Sequence, residues 1–145
     1  MDNIESVFPY SKFVAEACAR DPELLSSLNE APDLHAAGDA LLAGDPDESK
    51  FMDGLRRLRR RELVRIAWRD LACGASLDEV LRDLSAFADE AIKTALAFAA
   101  RGLSATYGIP RSPTGEPQEL VVIGMGKLGG GELNFSSDID LVFLY

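Results

Sequence analysis

Residues 121–145 read VVIGMGKLGGGELNFSSDIDLVFLY, and the architecture is best inferred outward from them. Leu120–Ile123 is a short β-branched run ending at Gly124, which predicts a buried strand. Asp138 to Tyr145 predicts a second strand, with Asp138, Asp140, Val142 and Leu144 on one face and Ile139, Leu141 and Phe143 turned toward a core. Between the two lie a glycine-rich turn and a polar stretch.

Two chemistries compete for this pattern. Gly124-Met125-Gly126-Lys127-Leu128-Gly129 fits the G-x-G-x-x-G of a Rossmann-type dinucleotide site. That geometry needs a full helix after the glycines and an acid about 20 residues on. Gly130 and Gly131 disfavour such a helix, and only Glu132 to Ser137 separate them from Asp138. A Walker phosphate loop fails as well, because Lys127 lacks the glycine spacing before it and the Ser or Thr after it.

Nucleotidyl transfer fits better. In-line attack on phosphorus is helped by divalent metals, which prefer hard carboxylate oxygens. Asp138 and Asp140 are two apart on an extended run, so both leave one face about 7 Å apart at Cα. Glycines 129–131 let backbone approach phosphate oxygens, Ser136 and Ser137 offer hydroxyls, and Lys127 offers a cation. Taken singly, an Asp-x-Asp is often a solvated edge, a glycine run a flexible turn and a lysine a surface residue. Their concentration within 25 residues, between two apolar strands, favours the functional reading.

Upstream, residues 1–110 read as helical. Ser11 to Arg20 is amphipathic, and Asp21-Pro22-Glu23 supplies an N-cap, a first-turn proline and an early acid. A short helix is predicted over Leu34 to Leu42, ending at Gly44. Two long helices follow, Glu48 to Cys73 stopping at Gly74, and a second opened by the capping box Ser76-Leu77-Asp78-Glu79 and fading near Tyr107. Residues 109–117 hold three prolines and a glycine and form a loop. The predicted division is a helical region at 1–110, a linker at 111–118 and the start of a catalytic core at 119–145.

Composition narrows the partners. With 24 acidic and 15 basic residues, the net charge is -9, which opposes nucleic-acid binding. Arg56, Arg57, Arg59, Arg60, Arg61, Arg65 and Arg69 spread around one helix instead of forming a basic face, so inter-helix ion pairs are expected. Trp68 is expected in the core and His35, the single histidine, on the surface. Cys18 and Cys73 read as two reduced thiols of a cytoplasmic protein. No apolar run is long enough to span a membrane.

The motif GMGKLGG-x-EL-x-x-x-SDIDL-x-F at 124–143 resembles the signature of the bifunctional glutamine synthetase adenylyltransferase/adenylyl-removing enzymes. The stretch LRRLRRRELVRIAWRDLACGASLDEVLRDLSAFAD at 55–89 is similar to that family's N-terminal helices. The resemblance covers residues 50–145 well and the first 50 loosely. It implies an α+β fold: an all-helical N-terminal region followed by the first strands of a truncated, polymerase-beta-like nucleotidyltransferase. It implies Asp138 and Asp140 as magnesium ligands and Gly129, Gly130 and Ser137 as the phosphate-binding part. It also implies glutamine synthetase as partner, with ATP or ADP, phosphate and a PII-type signal protein in the whole family. The NFSSDIDL wording resembles the half that removes AMP from a glutamine synthetase tyrosine by phosphorolysis, releasing ADP. The family's third carboxylate sits on a later strand, and the chain stops inside an apolar strand, so continuation past 145 and little activity of the 145 residues alone are expected. The competing class is a helical protein-binding module carrying an inactive catalytic remnant.

Overall fold

The computed structural model describes residues 7–28 and 30–144. Among the described residues, five helices precede a small β-ribbon: α1 (Lys12–Arg20), α2 (Leu24–Ser27), α3 (Leu34–Leu42), α4 (Glu48–Ala72) and α5 (Leu77–Tyr107). Strand β1 (Val121–Gly124), the single-turn helix α6 (Gly126–Gly129) and strand β2 (Leu141–Leu144) complete the chain. The architecture is therefore α+β, mostly helical, with one two-stranded antiparallel sheet.

The longer helices begin where a short oxygen-bearing side chain can catch an orphan amide. Ser11 accepts from Val14 N–H, Asp33 from Ala36, Asp47 from Lys50 and Ser76 from Glu79. The capping box is half realised. Glu79 does not reach back to Ser76 but turns to Arg69, with Nε at 2.7 Å and Nη2 at 2.5 Å from Oε1. A charge-assisted bond between helices outcompetes a local amide contact. Asp21-Pro22-Glu23 also departs from expectation. Asp21 Oδ1 accepts from Glu23 N–H, but Pro22 and Glu23 form a turn, and the four-residue α2 begins only at Leu24 with Glu23 in its N-cap position.

Helices α4 and α5 form the predicted hairpin. Gly74 reverses the chain at φ +67°, a conformation costly for any side chain with a Cβ. Helix α3 packs across both helices. Its Gly38 lies so close to α5 that a Cβ there would collide with Thr94 Oγ1. Phe51 of α4 and Phe98 of α5 stack with ring centroids 4.1 Å apart. One apolar cluster joins Val14, Ala17 and Cys18 of α1 to Val64 and Trp68 of α4, so Trp68 is core as expected. Burying each such side chain contributes about 1.5–3 kcal/mol for the larger ones.

A second cluster positions the site. Ile66 of α4 and Val80 and Leu84 of α5 pack against Leu128 and Leu133 from the segment between the strands. The α4–α5 hairpin is thus the floor under the glycine turn. The same hairpin carries an ion-pair network. Arg65 Nε lies 2.9 Å from Glu62 Oε2, and its Nη2 lies 2.9 Å from Asp83 Oδ2. With Arg69–Glu79 this bears out inter-helix pairing for two of the arginines. Arg56 pairs within its own helix, with Asp53.

The strands depart from the sequence reading. Val121 and Ile123 are 53% and 41% exposed, so β1 is not a buried strand. Ile139 and Phe143, expected to face a core, are exposed as well, and only Leu141 of that set packs inward. Strand β2 covers 141–144, leaving Asp138 and Asp140 in the run that leads into it. Tyr145 lies outside the described residues. The ribbon has one strand pairing and one supporting helix face, too little to bury both sides. The 109–117 loop is ordered as a tight turn, with Ser112 and Glu116 bonded through their backbones and an Arg111–Pro117 bridge.

Candidate functional site

The β-ribbon brings the two ends of the motif together. The strands pair Val121 with Leu144, Val122 with Phe143, Ile123 with Val142 and Gly124 with Leu141. One further bond, Met125 N–H to Asp140 O at 2.9 Å, extends the ladder past the strand ends. The Asp140 backbone is therefore fixed beside the start of the glycine turn. The antiparallel pairing and the four-residue α6 also remove the dinucleotide alternative, which needs parallel strands joined through a full helix.

The glycine turn is built tightly. A Cβ on Gly129 would collide with the Gly124 carbonyl oxygen, so only glycine lets α6 fold back on the end of β1. The amides of Gly129, Gly130, Gly131 and Glu132 donate to Met125, Gly126, Leu128 and Lys127 respectively. Gly129 and Gly130 thus shape the turn with their own N–H groups engaged inside it. Gly131 turns the chain out at φ +69°.

The polar stretch is organised by a residue the sequence reading passed over. Asn134 Oδ1 accepts from Lys127 Nζ at 3.1 Å and from the Ser137 hydroxyl. The Ser137 N–H also donates to the Asn134 carbonyl, at 3.2 Å. Asn134 therefore holds together two candidate phosphate-binding groups that lie ten residues apart. Its spacing to Ser137, three residues around a turn, was a readable signal. Ser136 sits between them at φ +61°, left-handed backbone that a non-glycine residue adopts at a cost.

Asp138 and Asp140 are both exposed, and neither enters the apolar core. Neither side chain takes part in an ion pair or hydrogen bond among the described residues. Lys127 is held by a neutral amide and leaves both carboxylates free for a cation. They stand on open surface: the cavity of about 150 Å³ beneath the ribbon is lined by Asp89, Ile92 and Lys93 of α5 with Val122, Gly124 and Leu141. Neither aspartate, nor any of glycines 129–131, lines that cavity. Among the described residues no group of three or more potential metal ligands gathers. Two carboxylates on one extended run nevertheless suit magnesium, which keeps several waters and takes one or two protein carboxylates plus phosphate oxygens.

Away from the site, Glu62 is fully buried, and burial pushes its carboxyl above the ordinary range while the Arg65 hydrogen bond pulls it back. Burial works against the Arg65 charge, yet its bonds to Asp83 and Glu62 hold it above the usual arginine value. Cys18 is a buried free thiol, raised by burial and by nearby Asp21. His35 is surface-exposed, as expected, and contacts Glu90 and Asp39. No helix of the described residues is long and apolar enough to cross a membrane.

Comparison with known proteins agrees with the motif. The glutamate-ammonia ligase adenylyltransferase family model matches residues 1–145. A bifunctional glutamine synthetase adenylyltransferase/adenylyl-removing enzyme of Thioalkalivibrio sulfidiphilus is 46% identical over 148 residues, covering 96% of this chain and 15% of the relative. Proteins of the same description from Nitrosococcus oceani and Pseudomonas aeruginosa are each 44% identical, covering 96% and 100% of this chain. The chain spans about 15% of the first relative and 16% of the Pseudomonas protein.

Proposed function

Since the chain belongs to the glutamate-ammonia ligase adenylyltransferase family, we propose that residues 119–144 carry the opening part of a nucleotidyltransferase site acting on glutamine synthetase, in the half that removes AMP. The observation that carries this reading is the pair of unpartnered, exposed carboxylates, Asp138 and Asp140, fixed beside a glycine turn through the Met125–Asp140 backbone bond.

In the proposed reaction an oxygen of inorganic phosphate attacks the phosphorus of a tyrosine-linked AMP. A new P–O–P bond gives ADP, the bond from phosphorus to the tyrosine oxygen breaks, and that oxygen takes up a proton. Asp138 and Asp140 would hold magnesium, which supplies charge stabilisation at the phosphoryl oxygens. Lys127 adds a positive charge at the same edge, and the Ser137 hydroxyl adds a polar contact. Asn134 keeps the two within reach of one anion by holding both. Gly129 contributes by letting the turn close against β1, which no larger residue permits. ATP or ADP, phosphate and a PII-type regulator are the further partners this reading carries.

The test is phosphorolysis of adenylylated glutamine synthetase with magnesium and phosphate, using a polypeptide that carries this segment with a complete catalytic domain. Appearance of ADP supports the removing reaction. Transfer of AMP from ATP with release of pyrophosphate, and no ADP formed on phosphorolysis, would move the segment to the attaching reaction. The 145-residue chain assayed alone should show little or no turnover.

A further inference from the structure

Ser85 is a buried hydroxyl, 5% exposed, on a face of α5 otherwise built from Val80, Leu84 and Phe87. Its Oγ donates to Leu81 O in its own helix at 2.8 Å and accepts from Leu133 N–H at 3.0 Å. The second partner lies 48 residues away, in the segment between the glycine turn and the aspartates. A helix gains nothing from serine at such a place, since alanine has better propensity and a larger apolar side chain would bury more surface. What serine adds is an acceptor aimed out of the helix, with its own proton already committed to Leu81.

Leu133 needs that acceptor. It is 8% exposed and belongs to neither a helix nor a strand. Leaving its buried N–H unpaired would cost about 1–3 kcal/mol. Its side chain and that of Leu128 sit among Ile66, Val80 and Leu84, so the segment is seated by apolar contact and keyed by one hydrogen bond. The next residue is Asn134, which holds Lys127 and Ser137, and Asp138 follows Ser137 directly.

We propose that Ser85 is a positioning residue of the nucleotidyltransferase site: through Leu133 and Asn134 it fixes where Lys127, Ser137 and the Asp138–Asp140 pair stand relative to one another. The idea rests on the metal and phosphate reading of that segment. It gives the helical hairpin a part in the chemistry beyond supporting a core, although no atom of Ser85 touches the reacting groups.

The test uses the 145-residue chain in two measurements. Hydrogen exchange, followed by mass spectrometry, reads the amides of 129–138, and a Mn2+ titration followed by electron paramagnetic resonance reads the aspartate pair. Ser85→Ala should speed exchange across 129–138 about tenfold and weaken Mn2+ several-fold. Thr94→Ala is the reference: Thr94 is equally buried on the same helix, but among the described residues its hydroxyl bonds within its own helix, to Glu90 O at 2.8 Å. It should lower the melting temperature and leave both readouts at wild-type values. Ser85→Thr keeps the acceptor and should restore slow exchange. Exchange in Ser85→Ala as slow as in wild type, or equal loosening of 129–138 by Thr94→Ala, overturns the proposal. If wild type and Asp138→Asn bind Mn2+ equally, the metal reading falls, and the exchange measurement alone decides the role of Ser85.

Discussion

The helical part and the β-ribbon treat the same kind of residue in opposite ways. Val14, Val64 and Ile66 in α1 and α4 are at most 1% exposed, whereas Val121, Ile123, Val142 and Leu144 in the ribbon are 41–53% exposed. The register sets Val121 opposite Leu144 and Ile123 opposite Val142, so these four share one face of the sheet. The opposite face, with Val122, Gly124 and Leu141, lies toward α5. Cooperative stability is therefore concentrated in the hairpin and the helices around it. The groups suited to phosphate chemistry are displayed on a thin element tied to the hairpin by Leu128, Leu133 and Ser85.

The largest effect should come from the hairpin. Glu62→Ala removes a fully buried carboxylate and leaves Arg65, itself 5% exposed, with Asp83 as its remaining partner. Breaking a buried pair from one side costs about 3–5 kcal/mol. Urea unfolding followed by circular dichroism should show that loss. A cost below about 1 kcal/mol would mean that the network behaves as a surface pair and that the contrast between the two regions is overdrawn.

Next in size is a change on the ribbon side that harms chemistry and spares the fold. Asp138→Asn should lower phosphorolysis about 100-fold in a polypeptide with a complete catalytic domain, by weakening the metal and misplacing the phosphate. The same change in the 145-residue chain should leave the urea midpoint nearly unmoved, because Asp138 is exposed and makes no ion pair among the described residues. Retained activity in Asp138→Asn would sink the ligand assignment.

The helices were legible because their signals are local. Ser11, Asp33, Asp47 and Ser76 each precede a helix by one residue, and glycines end the longer ones, so both boundaries could be read from neighbours in sequence. The motif was legible for a similar reason: glycine turn, Asn-Phe-Ser-Ser and Asp-x-Asp are contiguous. What escaped depends on distant contacts. Ser85 looks like any helical serine until Leu133 is placed 3.0 Å from it. Burial of the strands was misjudged because β-branched residues show that a strand forms but not what covers it. The capping box was half right because Arg69, ten residues earlier, competes for Glu79.

A weaker effect should follow from altering the exposed sheet face. Ile123 is 41% exposed and pairs across the ribbon with Val142. Ile123→Thr keeps the β-branch and should change stability by no more than about 0.5 kcal/mol, as read by urea unfolding. A loss of several kcal/mol would show that the face is covered in solution, and the two regions would no longer differ in burial.

The smallest effect should be a pH-dependent one at the contact between α3 and α5. His35 Nδ1 lies 3.1 Å from Glu90 Oε1, and Nε2 lies 3.7 Å from Asp39 Oδ2. The Glu90 hydrogen bond, followed by the charges of Asp39 and Glu90, raises the histidine pKa above its ordinary 6.5. Between 6.5 and the higher folded value, the folded chain keeps a proton that the unfolded chain has released. The contribution is therefore fully present below pH 6.5 and is lost as pH climbs through the folded pKa. The side chain is 77% exposed, so solvent and salt screen the pair and the gain is slight. His35→Gln should melt slightly below wild type at about pH 5.5 and together with it at about pH 8.5, where the imidazole is neutral in both states. The gap should also shrink in high salt. A gap that widens as pH rises would reverse the sign and show that His35 acts here as a neutral packing group.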